Sequence, residues 1–264
     1  MNLQGKRVLI TGASRGIGVA LARAFRGAGA SVALVARTEG PLKELANELG
    51  GTAHTADLSD PAQVATLIAD IEDEAGPVDV LINNAGEVVV AGITGMQADD
   101  LQRVTQVNYL AAAELCRQAI PRMLRRNCGH IVNISSMVGA TNIPGLIAYS
   151  ASKAALSHFT GGLRADLRGL PISTTLVELG PIPTDMLTKA KSYKPTAASF
   201  RRLERVGVLV DIAPDKVAAQ TVLAVQKGRK HVWLPKRAFS VPLLAEIPRR
   251  VVAVGLTGVK HQAR

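Results

Sequence analysis

Short apolar runs alternate with longer amphipathic stretches along most of the chain. Residues 7–10, 31–36, 52–56, 78–83, 129–135, 172–179 and 231–234 read as strands. Between them, helical character is expected over 19–28, 40–49, 61–74, 98–127 and 148–168. Alternation of this kind predicts an α/β fold, a doubly wound parallel sheet of about seven strands with helices on both faces. The strands are rich in valine and isoleucine, as expected of a sheet covered on both sides. Glycine and proline are scattered at the expected turns, with no repeat, linker or low-complexity stretch. Residues 1–264 are therefore expected to form a single domain.

The first strand runs into Thr11-Gly12-Ala13-Ser14-Arg15-Gly16-Ile17-Gly18 and then a helix. A strand, a glycine turn and a helix in that order set backbone N–H groups and a helix N-terminus against a pyrophosphate. Further along stands Tyr149-Ser150-Ala151-Ser152-Lys153, thirteen residues after Ser136. On a helix, Tyr149 and Lys153 share a face one turn apart. An ammonium ~4 Å from a phenol, at an effective dielectric of ~20, favours the phenolate by ~4 kcal/mol. Since ~1.4 kcal/mol is one pKa unit, the tyrosine is expected to titrate near neutrality, where acid–base catalysis works best.

The glycine string, Asn83-Asn84-Ala85-Gly86, Asn108, Ser136, Tyr149 and Lys153 stand in an order and spacing that resembles the short-chain dehydrogenase/reductase family over roughly residues 3–235. The resemblance implies an oxidoreductase that interconverts a carbonyl and an alcohol. In it Tyr149 acts as general acid/base, Ser136 binds the reacting oxygen, Lys153 holds the nicotinamide ribose and tunes the tyrosine, and Asn108 holds a relay water. Ser135 remains the alternative serine, since both end a strand, and ligands in such sheets sit beyond the carboxyl ends of strands. Asp57 and Leu58 resemble the family's adenine contact, and Asn84, Ala85 and Gly86 its ribose-side wall. A homo-oligomer formed through the two long helices is expected by the same analogy, and so is a second reading as a cofactor-binding sensor with little turnover.

Charge bears on the cofactor. An acid at the end of the second strand suits the ribose of NAD(H), and an arginine suits the 2′-phosphate of NADP(H). This strand ends Val35-Ala36-Arg37, and the glycine turn adds Arg15. Two guanidinium groups point to NADP(H), with NAD(H) admitted because Glu39 lies nearby. After the sixth strand the chain reads Leu179-Gly180-Pro181-Ile182-Pro183-Thr184-Asp185-Met186, with leucine where the family carries proline. Ile182 and Thr184 fall at the positions expected to contact the nicotinamide, and the two prolines stiffen the loop.

Composition narrows the remainder. Aromatic residues are 3% of the chain, and no nucleic-acid motif is present, so a nucleic-acid partner is not expected despite a net charge of +10. Cys116 and Cys128, and five dispersed histidines, offer neither a metal site nor a disulfide framework. His158, on the predicted catalytic helix, is expected to be structural. Reduced thiols and an N-terminus that leads straight into a strand suggest a cytoplasmic protein. The charge is lopsided: residues 187–264 hold 16 Lys/Arg against 4 Asp/Glu, a net of +12, while residues 1–186 are close to neutral. Residues 187–210, with Lys189, Lys191, Lys194, Arg201, Arg202 and Arg205, occupy the place of the family's substrate lid. This basic run reads either as a solvated face or as attraction for an anionic thioester or an acidic membrane surface. The extension 236–264 carries apolar segments split by Pro248-Arg249-Arg250. They are expected to pack on the cleft or a second subunit, with an interfacial membrane anchor as the alternative. A small-molecule carbonyl or alcohol is the expected substrate, small or bulky and hydrophobic, either lipid-like or an anionic thioester.

Overall fold

The computed structural model describes residues 1–141, 143–205 and 210–235, so the expectations for the end of the lid and for the extension 236–264 lie outside the described residues. One sheet holds seven strands in the order β3-β2-β1-β4-β5-β6-β7, all parallel. These are β1 Arg7–Thr11, β2 Ser31–Ala36, β3 Thr52–Thr55, β4 Val80–Asn83, β5 Gly129–Ser136, β6 Ile172–Leu179 and β7 His231–Leu234. Successive side chains alternate between two apolar layers. Val8 and Ile10 of β1 face α1 (Ile17–Gly27) and α9 (Pro214–Lys227), packing with Leu21, Phe25, Val217 and Val225. Leu9, between them, faces α3 (Pro61–Ala75) and α5 (Ala111–Arg125), packing with Ile68, Ile71, Leu115 and Met123. Both layers are apolar because the inner strands are covered on both sides, while the edge strand β7 buries only Val232 and Leu234. The edge strand β3, Thr-Ala-His-Thr, is partly exposed and correspondingly polar.

Local chemistry sets the helix ends. Asp60 caps α3 by accepting a hydrogen bond from Ala62 N, and Pro61 takes the first turn, where its missing N–H costs nothing. Gly50 ends α2 (Glu39–Leu49), and Gly228 ends α9, both in the left-handed conformation. The helix expected over 98–127 is divided. An α-helical α4 (Ala98–Thr105) passes through a π-helical turn, Gln106–Leu110, into α5, with Ala111 N donating to Gln106 O. Residue Asn108 sits in that wider turn, which re-aims it relative to a regular helix. Helix α6, Ile147–Asp166, carries Tyr149 and Lys153.

The lid region also has structure that the apolar pattern did not anticipate: α7 Asp185–Lys191 and α8 Lys194–Arg205. Helix α9 likewise went unassigned, since its alanine-rich face gives a weak period.

Candidate active site

The strand order reverses between β1 and β4, and this switch point opens a cleft of about 340 Å³ beyond the carboxyl ends of the strands. Of the residues expected to hold a dinucleotide, Gly12, Ser14, Arg15, Gly16, Ile17, Arg37, Asp57, Leu58, Asn84, Ala85, Gly86 and Thr184 line it. Gly12 has φ +67, and a Cβ there would lie 2.8 Å from Ala85 Cα, so the glycine turn and the segment after β4 meet backbone to backbone. Asn84 fastens this contact, its Nδ2 donating to Thr11 O (2.9 Å) and Gly12 O (3.2 Å), while Thr11 Oγ1 accepts from Asn84 N and Ala85 N. Gly18 lies below the cleft, where a Cβ would strike Gly12 O; it lets α1 approach β1. Gly12→Ala combines the left-handed conformation with that clash, and is expected to cost roughly 2–4 kcal/mol of stability, read from the denaturation midpoint.

One expected contact lies off the cleft. Ile182 is 6% exposed, packs in the core with Leu179 and Ile212, and does not line the cleft; its neighbours Pro183, Thr184, Asp185 and Met186 do. The apolar side chain is worth more to the core than to a polar cofactor's surroundings. Arg15 and Arg37 line the same cleft, and both are exposed, but Arg15 also stands 3.8 Å from Asp185 across the opening. Asp57 is half engaged, its Oδ1 accepting from Ser59 N and Ser59 Oγ in a local turn.

Ser136, Tyr149, Lys153 and Asn108 do not line this cleft; Asn108 and Lys153 lie just behind Gly86, which does. Ser136 Oγ donates to Leu179 O (3.2 Å), accepts from Val138 N (3.4 Å) and lies close enough to the Tyr149 hydroxyl to influence its titration. Ser135 points the other way, into α6, bonding to Lys153 O (3.0 Å) and Ser157 Oγ (2.8 Å), so the geometry places Ser136 and not Ser135 beside the tyrosine. Lys153 is buried, with Nζ donating to Ile134 O (2.9 Å) and lying 6.0 Å from the Tyr149 ring centroid. A Cβ on Gly86 would lie 3.5 Å from Asn108 Oδ1 and 3.6 Å from Lys153 Nζ, so this glycine keeps open the corner between those groups and the cleft. The Asn108 side chain makes three hydrogen bonds: Oδ1 accepts from Glu87 N (2.7 Å), and Nδ2 donates to Glu87 O (2.9 Å) and Ser152 Oγ (2.9 Å). It fastens the segment after β4 to the π-helical turn and α6.

The expectation of a near-neutral tyrosine is overturned for the protein's own groups. Burial pushes the Tyr149 phenol up to about 12, and the Ser136 hydroxyl only partly offsets this. Burial likewise pulls the Lys153 ammonium down to about 8. The lysine is committed to Ile134 O and sits over the ring rather than at the hydroxyl, so desolvation outweighs its field. Cys116 is buried against Asn83 with its thiol pushed up to about 12 by burial, which makes it inert as a nucleophile. His158 is exposed on α6.

Sequence reasoning missed Glu87, Val107, Thr38, Asp185 and Met186 as lining residues. Adjacency was the available signal, because each flanks a residue already singled out.

A doubly wound sheet with a glycine turn at its switch point, and a serine, tyrosine and lysine beyond its carboxyl edge, is the architecture of a Rossmann-type dinucleotide-binding protein. The profile of the family described as short chain dehydrogenase matches residues 6–195, and the chain belongs to this family, the short-chain dehydrogenases/reductases. An uncharacterized oxidoreductase of Mycobacterium tuberculosis is 40% identical over 201 residues, 72% of this chain and 59% of the relative, so the match spans little more than half of that protein. The ketoacyl reductase HetN of Nostoc is 32% identical over 259 residues, 96% of this chain and 85% of the relative. Among solved structures, a family member from Burkholderia phymatum in complex with NAD superposes with a TM-score of 0.81 at 28% identity, covering 95% of this chain and 96% of that one. A metagenomic short-chain oxidoreductase in complex with NADP gives 0.72 at 30% identity, covering 88% and 97%.

Proposed function

We propose that the protein is an NADP(H)-dependent oxidoreductase that interconverts a carbonyl and an alcohol on an apolar substrate. The observation that carries this reading is the grouping of Ser136, Tyr149 and Lys153 beyond the carboxyl edge of the sheet, with Lys153 behind Gly86 of a cleft that the glycine turn lines. The residues fit a dinucleotide: the glycine turn, with Gly12 and Gly16 both at positive φ, lines the cleft where a pyrophosphate would sit, and the end of β2 offers Arg37 where a ribose would lie. The dinucleotide supplies or accepts a hydride at its nicotinamide. Ser136 accepts or donates a hydrogen bond at the substrate oxygen and fixes it beside the phenol. Tyr149, protonated at neutral pH, gives its proton to that oxygen in the reducing direction and takes it back in the oxidising one. The Lys153 ammonium, poised near Gly86, binds ribose hydroxyls and stabilises the phenolate as it forms.

The tyrosine's surroundings support an apolar substrate. Tyr149 packs against an apolar cluster of Val88, Ile143, Leu146, Ala190 and Phe200 that Val138, Met186 and Leu187 also flank, a setting that favours an aliphatic chain beside the reacting carbon. The name of the Nostoc relative, a ketoacyl reductase, agrees with such a substrate. Turnover of a panel of bulky ketones, aldehydes and 3-oxoacyl thioesters with NADPH tests the reading; failure of every carbonyl, with NADPH still bound, would favour the sensor alternative.

For the cofactor, Arg37→Asp is expected to weaken NADPH binding by roughly 10- to 100-fold and to leave NADH binding equal or improved. This is the scale of one lost charge-assisted hydrogen bond plus a new repulsion. Dissociation constants from cofactor fluorescence provide the check. An unchanged ratio would remove the NADP(H) preference from the proposal.

A further inference from the structure

Helix α8 is two-faced. Thr196, Phe200 and Leu203 turn inward onto the apolar cluster around Tyr149, while Lys194, Arg201 and Arg205 fall at i, i+7 and i+11, a solvent-facing stripe about 16 Å long, with Arg202 beside it. Lys189 adds a further exposed cation from α7. The neighbouring Lys191 is neutralised by Glu204 at 3.0 Å, but among the described residues none of the other five lies within ion-pair distance of a carboxylate. Because the stripe is on the side of α8 away from the tyrosine, a small substrate bound at Tyr149 cannot reach it. It suits an extended surface.

A second feature lies alongside. Of the large apolar side chains among the described residues, Ile93 (68% exposed) and Ile147 (52%) are the most exposed. Both belong to segments tied to the lid. Ala91 N bonds to Gly145 O (3.0 Å), a Cβ on Gly92 would lie 3.2 Å from Tyr193 Oη, and Thr196 Oγ1 donates to Pro144 O (2.6 Å). Protruding isoleucines on segments tied to the lid, and a row of cations on the lid's outer face without ion-pair partners among the described residues, match the two components of an interfacial lipid contact, shallow apolar insertion and attraction to acidic headgroups. An acidic protein partner would explain the cations but not the isoleucines. No described helix is long and apolar enough to cross a membrane.

We propose that the outer face of α8, with Ile93 and Ile147, docks the protein on an anionic lipid surface, so that an apolar substrate passes from the bilayer beneath the lid to Tyr149. The substrate route rests on the proposed function; the docking itself does not, and is measured without turnover. The test is co-sedimentation of the full chain with vesicles of phosphatidylcholine, alone or mixed with phosphatidylglycerol. Partition onto the mixed vesicles only, weakened by salt, is expected. The variant Arg201→Glu/Arg202→Glu/Arg205→Glu is expected to lose at least about 100-fold in partition, since each cation near such a surface contributes about a factor of five. Ile93→Ser/Ile147→Ser is expected to weaken partition at unchanged charge. NADPH binding, which none of these residues touches, reports that each variant is folded. No partition of the native chain at low salt would overturn the proposal, as would equal partition by the charge-reversed variant. Retention by an acidic acyl carrier protein without partition onto vesicles would also overturn it.

Discussion

Tyr149→Phe is expected to lower turnover by roughly 10³-fold, about 4 kcal/mol of transition-state stabilisation, while NADPH still binds through the glycine turn and Lys153. The substitution removes one oxygen from a half-buried ring that otherwise packs against Val88, Ile143 and Leu146, so the fold should not register it. The pH dependence follows from the same environment. With its phenol pushed up to about 12 by burial, Tyr149 is protonated throughout the neutral range, and reduction is not limited by the donor there. The group that titrates first is Lys153, at about 8. Reduction by the native protein is therefore expected to hold level below about pH 8 and decline above it as the ammonium is lost. Oxidation, which needs the phenolate, gains with pH from the tyrosine side. Steady-state profiles in both directions provide the measurement. A reductive profile level well past pH 8 would show that the lysine charge is not required, and full activity in the phenylalanine variant would end the acid–base assignment.

Lys153→Met is expected to have opposite effects on activity and on stability. Activity should fall by at least roughly 100-fold, because the ribose-binding cation and its field on the tyrosine go together. Stability should rise. A drop from 10.5 to about 8 means that keeping this buried ammonium charged costs the folded state ~3 kcal/mol at neutral pH, and the bond to Ile134 O offsets about 1 kcal/mol of the loss on substitution. A gain of about 2 kcal/mol is expected, or roughly 5 °C in Tm. The sign is open to check. Lys153 is depressed on folding, so the unfolded chain binds more protons between about pH 8 and 10.5, and native stability rises with pH across that window. The advantage of the variant should be greatest below pH 8 and shrink above it. A variant less stable than the native protein at pH 7 would mean that the ammonium is better solvated by the protein than its burial implies.

These two residues also show how far the chain can be read without coordinates. The spacing of Tyr149 and Lys153 predicted a shared helix face, and they do share one, yet the inferred near-neutral phenol does not follow from the protein's own groups. A period says which side chains are neighbours. It does not say how much water they lose or which carbonyl captures the ammonium. Ser136 was legible because it ends a strand thirteen residues before the tyrosine; that it, and not Ser135, faces the site depends on the alternation of side chains along β5.

By itself the sequence determined the strand count, the parallel sheet, the glycine turn and most of the cleft. Each of these is local: a run of β-branched residues, a glycine in a turn, a period of 3.6. Tertiary structure alone decided what depends on distant pieces meeting. Ile182 was drawn into the core and away from the cleft by Leu179 and Ile212. Asn108 was spent on Glu87 and Ser152 because a π-helical turn re-aims it. The basic run after β6 became two helices, the second with its apolar side on the cluster that holds Tyr149 and its cations turned outward. In each case the outcome was set by competition for burial and for hydrogen-bond partners, and those competitors are far apart in the chain.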